Sequence, residues 1–470
     1  MEKLMSFSTL SHALNAHLFA GEGKQIADKG FSSVSIDSRE INPGGLFVAL
    51  RGATLDGHRF VEAAFKAGAS AALVCKSALE DKSLDLHGLC RNMDKVIVVV
   101  DNTLKALQDA AAFYIKQFNN LLRIGITGSS GKTSTKEIAS AIISQEKSLV
   151  MNKGNYNSET GLPLSVFNIR SHHQVGIFEA AMNHPGEIAD LAKILNPHLA
   201  LITNIGTAHV GNMGSKEAIA KEKKDIFSCF TGENKALIPD EDDYRDYLAK
   251  DLNGKVIFYG SKKLSPLSSV KNMGLTGTEF IWDGVKCNFS LPGKHNFYNA
   301  ISAIALSMEV PVSNAAIRKG LESVKPLFGR GEILRGRTTL IRDCYNSNPD
   351  SAKAAIDFCD SLDWPGRKVY VLGSMMELGA LCEEAHEALG ERLVYSRGSK
   401  IFLYGKEMEA ARNIMEEKNM VPCFYTGDKE ELSLALDSYI ETGDLVLLKA
   451  SRACALESLT EMLVGDAYVL

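Results

Sequence analysis

The sequence predicts an α/β chain of three domains, and three observations predict it. Apolar runs of strand length alternate with amphipathic stretches of helix length along most of the chain. Its 470 residues exceed what one ordinary hydrophobic core holds. That alternation breaks at the polar step Asn119-Asn120 and again near Pro326. The expected parts are a small N-terminal α/β domain over 1–118, a central parallel-sheet domain over 119–325, and a C-terminal doubly wound, Rossmann-like domain over 326–470.

In the first part, SVSID and LFVAL have strand character and flank the turn Asn42-Pro43-Gly44-Gly45. HRFVEAAFKAG follows as a helix, then the strands AALVC and VIVVV. Asp101-Asn102-Thr103 supplies capping chemistry for the helix LKALQDAAAFYIKQF. The central part opens on the strand LLRIGIT, the helix TSTKEIASAIISQ and the strand SLVMN. GLPLSVF is helical, with Pro163 in its first turn, and VGIFEA and LALITNI are continuous apolar runs suited to buried parallel strands. A polar, Gly-punctuated stretch over 233–292 predicts strands and hairpins, and NFYNAISAIALSME is expected to close the part as a helix. The last part alternates TTLIRDCY, a helix from SAKAAIDF, KVYVLG, a helix around EEAHEALGERL, KIFLYG, a further helix, and DLVLLK.

Bulk composition narrows the function. Hydrophobic residues make up 45% and charged residues 23%, an ordinary globular balance, and the net charge of -5 argues against a general nucleic-acid binder. Nine cysteines stand singly, with no CxxC pair, which suits reduced thiols better than a disulfide framework. The N-terminal MEKLMSFSTLSHALNAHLF interrupts its apolar residues with Ser, His and Asn, unlike a signal peptide. No apolar run approaches the ~20 residues of a membrane span. The expectation is a soluble cytoplasmic protein without membrane insertion.

The strongest motif is Thr127-Gly128-Ser129-Ser130-Gly131-Lys132-Thr133, between a strand and a helix. Glycines let backbone N–H groups approach phosphate oxygens, and a helix N-terminus adds a favourable dipole. Lys132 is placed to reach the β/γ-phosphates and the Thr133 hydroxyl to ligate Mg²⁺. Ile126 stands where the strict GxxxxGK[ST] pattern has its first glycine. The alternative is a glycine-rich turn with a surface lysine, but the strand before and helix after favour a nucleoside triphosphate, which makes the central part a P-loop ATPase domain.

TGSSGKT resembles the nucleotide loop of the Mur ligases, and the resemblance runs over almost the whole chain. DSREINPGGLFVALRGATLDGHRFVEAAFKAGA is similar to the family's N-terminal segment for a uridine-diphosphate sugar. KGNYNSETGLPLS, FEAAMNHPGEIADL, LITNIGTAHVGNMGSKEAIAKEKKDIF and LPGKHNFYNAISAIA resemble central-domain motifs in order. FGRGE, DCYNSNPDS and VLGSMMELG resemble those of the C-terminal domain. GNYNSETGLPLS, DCYNSNP and GSMMELG are most similar to members that add D-alanyl-D-alanine, and the DNPR signature of the diaminopimelate-adding sister is missing. Cys344 stands where the family usually has Ser, and Ala450 where it usually has Gly.

The resemblance implies an ATP-dependent ligase that uses Mg²⁺ and joins D-alanyl-D-alanine to UDP-N-acetylmuramoyl-tripeptide through an acyl phosphate; a monomer is expected. The other implied readings are another Mur-type or folylpolyglutamate-synthase-like amide ligase. A regulatory P-loop NTPase is a rival from a different class.

Individual residues carry both readings. Glu179 ends the strand VGIFEA, where parallel sheets face their ligands; it caps a turn or, as the resemblance implies, binds Mg²⁺. His209 in TAHVGNMGS is a structural histidine or resembles the family's second-metal ligand. Lys223 lies on the apolar stripe with Ile219, Ile226 and Phe227, while Lys221 and Lys224 point elsewhere. A buried lysine is costly unless paired or neutralised. It either snorkels or, as the resemblance implies, is carbamylated by CO₂ to a carboxylate that binds magnesium.

Asn296 and Asn299 resemble adenine contacts, with a helix cap and polar face as the alternative. Arg330 resembles the arginine that reaches the ATP phosphates, and Asp343 a nucleotide-contacting aspartate. Asn346 and Asn348 lie in the loop expected to form the acceptor site, or serve as turn formers. Ser38 and Arg39 are candidates for uridine diphosphate, with a surface salt bridge as the alternative for Arg39. Asn155, Asn157 and Thr160 are candidates for the sugar-peptide.

Overall fold

Helix and strand follow the alternation of the sequence in a computed structural model that describes residues 2–20, 26, 28–52, 54–80, 85, 88–89, 93, 95–418, 423–465 and 468–469. Two compact units emerge: Met1–Gly125 with Ser148–Ala180 and Ala189–Pro197, and Ile126–Lys147 with Ala181–Ile188 and His198–Leu470.

The first unit carries a five-stranded sheet in the order His17–Phe19, Val96–Val100, Ala71–Cys75, Leu46–Val48, Val34–Ser35. The first pair is antiparallel and the remaining pairs are parallel. Phe47, Val61, Phe65, Ala72 and Ile97 form its core. SVSID pairs only over Val34–Ser35, because side chains turn the backbone aside. Asp37 N–H donates to Ser35 Oγ (3.1 Å) and Arg39 N–H to Asp37 Oδ1 (2.9 Å), local bonds that compete with a ladder. HRFVEAAFKAG is a 3₁₀ turn, Gly57–Phe60, running into a short helix, Val61–Lys66. Asn102 caps the helix Thr103–Ile115, its side chain accepting from Lys105 N–H at 3.0 Å. Leu149–Met151 and Val175–Glu179 pair in parallel in the same unit.

The chain enters the second unit along the strand Leu122–Thr127. There the helix Lys132–Ile143 is followed by three parallel strands, Leu199–Ile202, Lys235–Pro239 and Lys255–Tyr259. The polar stretch then folds as an antiparallel meander of Leu267–Asn272, Thr278–Trp282 and Val285–Phe289. The helix Lys294–Met308 does not close the region, since a second helix, Asn314–Ser323, follows it with Ser313 as N-cap. A Cβ at Gly320 would lie 2.3 Å from Ile142 Cα. Glycine at that position permits close helix packing.

The last part of the second unit is a seven-stranded sheet in the order Cys423–Thr426, Lys400–Tyr404, Lys368–Gly373, Leu445–Lys449, Thr339–Asp343, Glu332–Arg335, Tyr468–Val469. The first five strands run parallel, as a doubly wound domain requires, and the last two add an antiparallel edge. Among the described residues, no helix is long and apolar enough to cross a membrane.

Candidate active site

The phosphate loop is shaped by two glycines in backbone conformations that other residues rarely adopt. Gly128 has φ +149°, and a Cβ there would meet Thr203 Oγ1 at 1.8 Å. Gly131 has φ +79°, and its Cβ would meet Asn299 Oδ1 at 2.1 Å. The segment after Leu199–Ile202 holds the loop in place. Ser129 and Ser130 N–H donate to the backbone and side-chain oxygens of Asn204 (both 3.0 Å), and Gly206 N–H donates to Ser129 Oγ at 2.8 Å. The helix Lys132–Ile143 starts at Gly131 with no side-chain cap, so its positive end faces the loop. Lys132 Nζ folds back to Gly128 O at 2.8 Å and Thr133 is 8% exposed. A loop of this construction fits an anionic phosphate chain.

Lys223 lies on the helix Lys216–Lys224, capped by Ser215. It is 1% exposed, and Ile219, Ile226 and Phe227 are buried as well; Lys221 is exposed. Burial pushes the Lys223 ammonium well below the ordinary lysine value, the charge of Lys132 adds to the depression, and Glu222 opposes it. Glu222 is itself buried, accepting from Gly186 and Ile188 N–H (both 2.8 Å). His209 adopts φ +63°, and its Nδ1 stands 2.8 Å from Glu377 Oε2. Hydrogen bonding from His209 holds the Glu377 carboxyl below its ordinary value.

In the first unit, Glu179 is 1% exposed at the end of its strand, and its Oε1 accepts from Asn157 Nδ2 at 2.7 Å. Asn152 brackets the Glu179 backbone with two bonds of 3.0 Å. Asn155 is exposed, and Thr160 precedes the helix Gly161–Val166, its hydroxyl 3.2 Å from Ser158 Oγ. Arg39 is 86% exposed and paired with Asp37, the surface salt bridge weighed above; that pairing holds the Asp37 carboxyl down at about 2. Ser38 is half-buried beside it.

The remaining candidates gather in the second unit. Asn296, 3% exposed, donates to Pro292 O (2.9 Å), and Asn299 lies against Gly131 as described. The Arg330 guanidinium stacks on the Tyr345 ring, 4.2 Å from its centroid. Asp343 pairs with the buried Lys449 at 2.9 Å. Asn346 Oδ1 accepts from Ser347 N–H at 2.9 Å. Asn348 caps the helix Pro349–Ser361 in a capping box with Ser351, and its Nδ2 donates to Ser130 Oγ at 3.2 Å. Asp350 Oδ2 accepts from Thr207 N–H (2.9 Å) and Oγ1–H (3.0 Å). The turn NSNPDS therefore docks on the phosphate loop and on the segment beside it. Because Asn348 serves both the cap and that docking, Asn348→Ala is expected to cost about 1 kcal/mol. A lowered urea midpoint checks this, and an unchanged midpoint contradicts it.

Sequence reasoning did not single out Glu377, Asn204, Asp350 or Lys449. Glu377 and Asp350 lay inside quoted motifs, but their partners His209 and Thr207 are far away in the chain, and only the fold brings them together.

The comparisons with known proteins agree in order along the chain. Residues 30–115 match the family model described as "Mur ligase family, catalytic domain", 126–307 "Mur ligase middle domain" and 329–452 "Mur ligase, glutamate ligase domain". A protein of Treponema pallidum named UDP-N-acetylmuramoyl-tripeptide--D-alanyl-D-alanine ligase is 42% identical over 94% of this chain and 97% of its own. The crystal structure of MurF from Acinetobacter baumannii superposes with a TM-score of 0.86 at 28% identity, covering 98% of this chain and 99% of that one. MurF ligase from Thermotoga maritima, solved in complex with ADP, does so with a TM-score of 0.76 at 28% identity, over 92% and 96% of the two chains. With three family models matched in sequence order and such identity sustained nearly end to end, the chain belongs to the Mur ligase family.

Proposed function

We propose that the chain is a cytoplasmic, monomeric, ATP-dependent and ADP-forming ligase that joins D-alanyl-D-alanine to UDP-N-acetylmuramoyl-tripeptide in peptidoglycan precursor synthesis. The observation that carries this reading is the phosphate loop with the NSNPDS turn docked on it through Asn348 and Ser130. A nucleotide loop and an acceptor loop that touch are what a ligase needs, whereas a simple NTPase has no use for the second. In this reading 1–118 binds the UDP-sugar, 119–325 binds ATP and 326–470 completes the ligase site.

The tripeptide carboxylate attacks the γ-phosphorus, the bond to the β-phosphate oxygen breaks, and ADP leaves. The dipeptide amine then attacks the acyl carbon of the resulting acyl phosphate. A tetrahedral intermediate collapses with loss of phosphate and a proton, leaving the amide. Lys132 and Arg330 offset charge on the transferring phosphoryl group, and the amides of Gly128 to Thr133 cradle the chain of phosphates. Asn296, Asn299 and Asp343 serve the nucleoside side, Asn346 and Asn348 the acceptor, and Ser38, Arg39, Asn155, Asn157 and Thr160 the UDP-sugar peptide.

Thr133 and Glu179 supply hard oxygen donors of the kind Mg²⁺ prefers, and Asn157 fixes the buried Glu179 carboxylate. In the second unit Thr133, His209 and a carbamylated Lys223 would hold Mg²⁺, whose charge when bound offsets that of the phosphates, and Glu179 is the candidate ligand of the first unit. Positioning supplies most of the remaining catalysis, and exclusion of water protects the acyl phosphate.

An acceptor panel tests the reading. D-alanyl-D-alanine is expected to support amide formation far better than L-alanyl-L-alanine or any single amino acid. Preference for D-glutamate or a dibasic amino acid contradicts the acceptor assignment while leaving the ligase assignment standing.

A further inference from the structure

At the C-terminal edge of the seven-stranded sheet, the register of the parallel strands Thr339–Asp343 and Leu445–Lys449 sets Asp343 opposite Lys449. Lys449 ends the apolar run LVLLK and its side chain is 3% exposed. Its ammonium does two things at once. It pairs with Asp343 Oδ2 at 2.9 Å and donates to Asn346 O at 2.7 Å. The loop it grips is held a second time, since Ser451 Oγ donates to Ser347 O at 3.3 Å. The next residue, Asn348, caps the following helix and reaches Ser130 of the phosphate loop.

A buried ion pair is weak evidence for stability, because apolar residues of similar volume often serve a core as well or better. What an ammonium supplies here, and a methionine of similar length cannot, is a fixed distance between a strand end and a loop carbonyl. Ligands of parallel sheets bind at this edge.

We infer that Lys449 is a positioning residue that locks the 344–348 loop in register with the phosphate loop, so that the acceptor amine outcompetes water for the acyl phosphate. The inference rests on the ligase reading above. Lys449 touches no reacting atom in this account; it acts through Asn346 and Asp343. If the loop relaxes, water attacks the acyl carbon instead of the amine and phosphate leaves. The tripeptide carboxylate is then regenerated, so ATP is consumed without an amide.

The test measures phosphate released per amide formed, with ATP, UDP-N-acetylmuramoyl-tripeptide and D-alanyl-D-alanine all saturating. The wild-type protein is expected to give one phosphate per amide. Lys449→Met is expected to lower amide formation about tenfold to a hundredfold, and to raise the ratio to about two or more. Lys449→Met alone leaves Asp343 without its counter-charge, so the Asp343→Asn/Lys449→Met pair is made as well. It is expected to regain the thermal midpoint and to keep the raised ratio. A ratio of one in both variants, with any loss of rate matched by loss of folded protein, overturns the inference. Wild-type protein that forms no amide from D-alanyl-D-alanine overturns the acceptor reading on which it rests, and is told apart by that control.

Discussion

Lys132→Ala is expected to abolish ligation while leaving the protein folded. The side chain reaches back over the loop to Gly128 O and Ser129 O, so its charge sits above the uncapped start of the helix Lys132–Ile143. The loop itself does not depend on it: Asn204, Thr203 and Gly206 hold the backbone. Removing one pre-organised charge-stabilising donor commonly costs a hundredfold to a thousandfold in rate, about 3–4 kcal/mol. The check is the rate of amide formation beside a circular-dichroism melt. More than about a tenth of the wild-type rate in a normally folded variant contradicts the assignment of this loop as the catalytic nucleotide site.

Lys223→Ala is expected to be nearly as damaging, for a different reason. Carbamylation requires the neutral amine, and burial favours that form. The product is a carboxylate, the donor that Mg²⁺ prefers. Loss of such a ligand predicts a fall of about a hundredfold or more, whereas Lys221→Ala, on an exposed face, should change little. Lys224 differs again: its Nζ donates to Tyr247 O and Lys250 O, so Lys224→Ala is expected to loosen the Arg245–Ala249 helix and leave turnover nearly intact. Short carboxylic acids should restore part of the Lys223→Ala activity, and neutral isosteres should not.

The depressed titration has a stability consequence in the unmodified protein. Between the lowered folded value and the ordinary 10.5, the unfolded chain binds the extra proton, so stability rises with pH across that window. The slope should vanish in Lys223→Ala. An active, folded Lys223→Ala variant without added acid contradicts the carbamate.

The sequence carried the strands and helices around the site well, because strong periodicity needs no tertiary help: VGIFEA and KVYVLG are buried strands over nearly the spans their apolar runs suggest, while LALITNI is a strand only over Leu199–Ile202. The stripe of Ile219, Lys223, Ile226 and Phe227 was equally legible, and all four are buried, although the α-helix ends at Lys224 and the last two lie in the 3₁₀ turn Asp225–Phe227. Where local chemistry opposed the pattern, the reading went astray. Ser35 and Asp37 turned a strand aside, and a second helix, Asn314–Ser323, follows the one expected to close its region. The missed site residues share one cause. Asn204, Glu377, Asp350 and Lys449 act on partners that loops and strand ends bring together, and no spacing in the chain encodes those pairs. The sequence offers Asn348 as an acceptor contact or a turn former; beside those roles its side chain caps a helix and reaches the phosphate loop, two contacts that depend on the folded third part of the chain.

The central claim is that this loop drives an amide bond and does not simply hydrolyse ATP. One measurement tests it most directly: phosphate release followed with each co-substrate omitted in turn, beside the amount of amide formed. Little phosphate should appear until ATP, UDP-N-acetylmuramoyl-tripeptide and D-alanyl-D-alanine are all present, and then phosphate and amide should rise together, mole for mole. Steady phosphate release from ATP alone, with no amide formed in the complete mixture, would contradict the account.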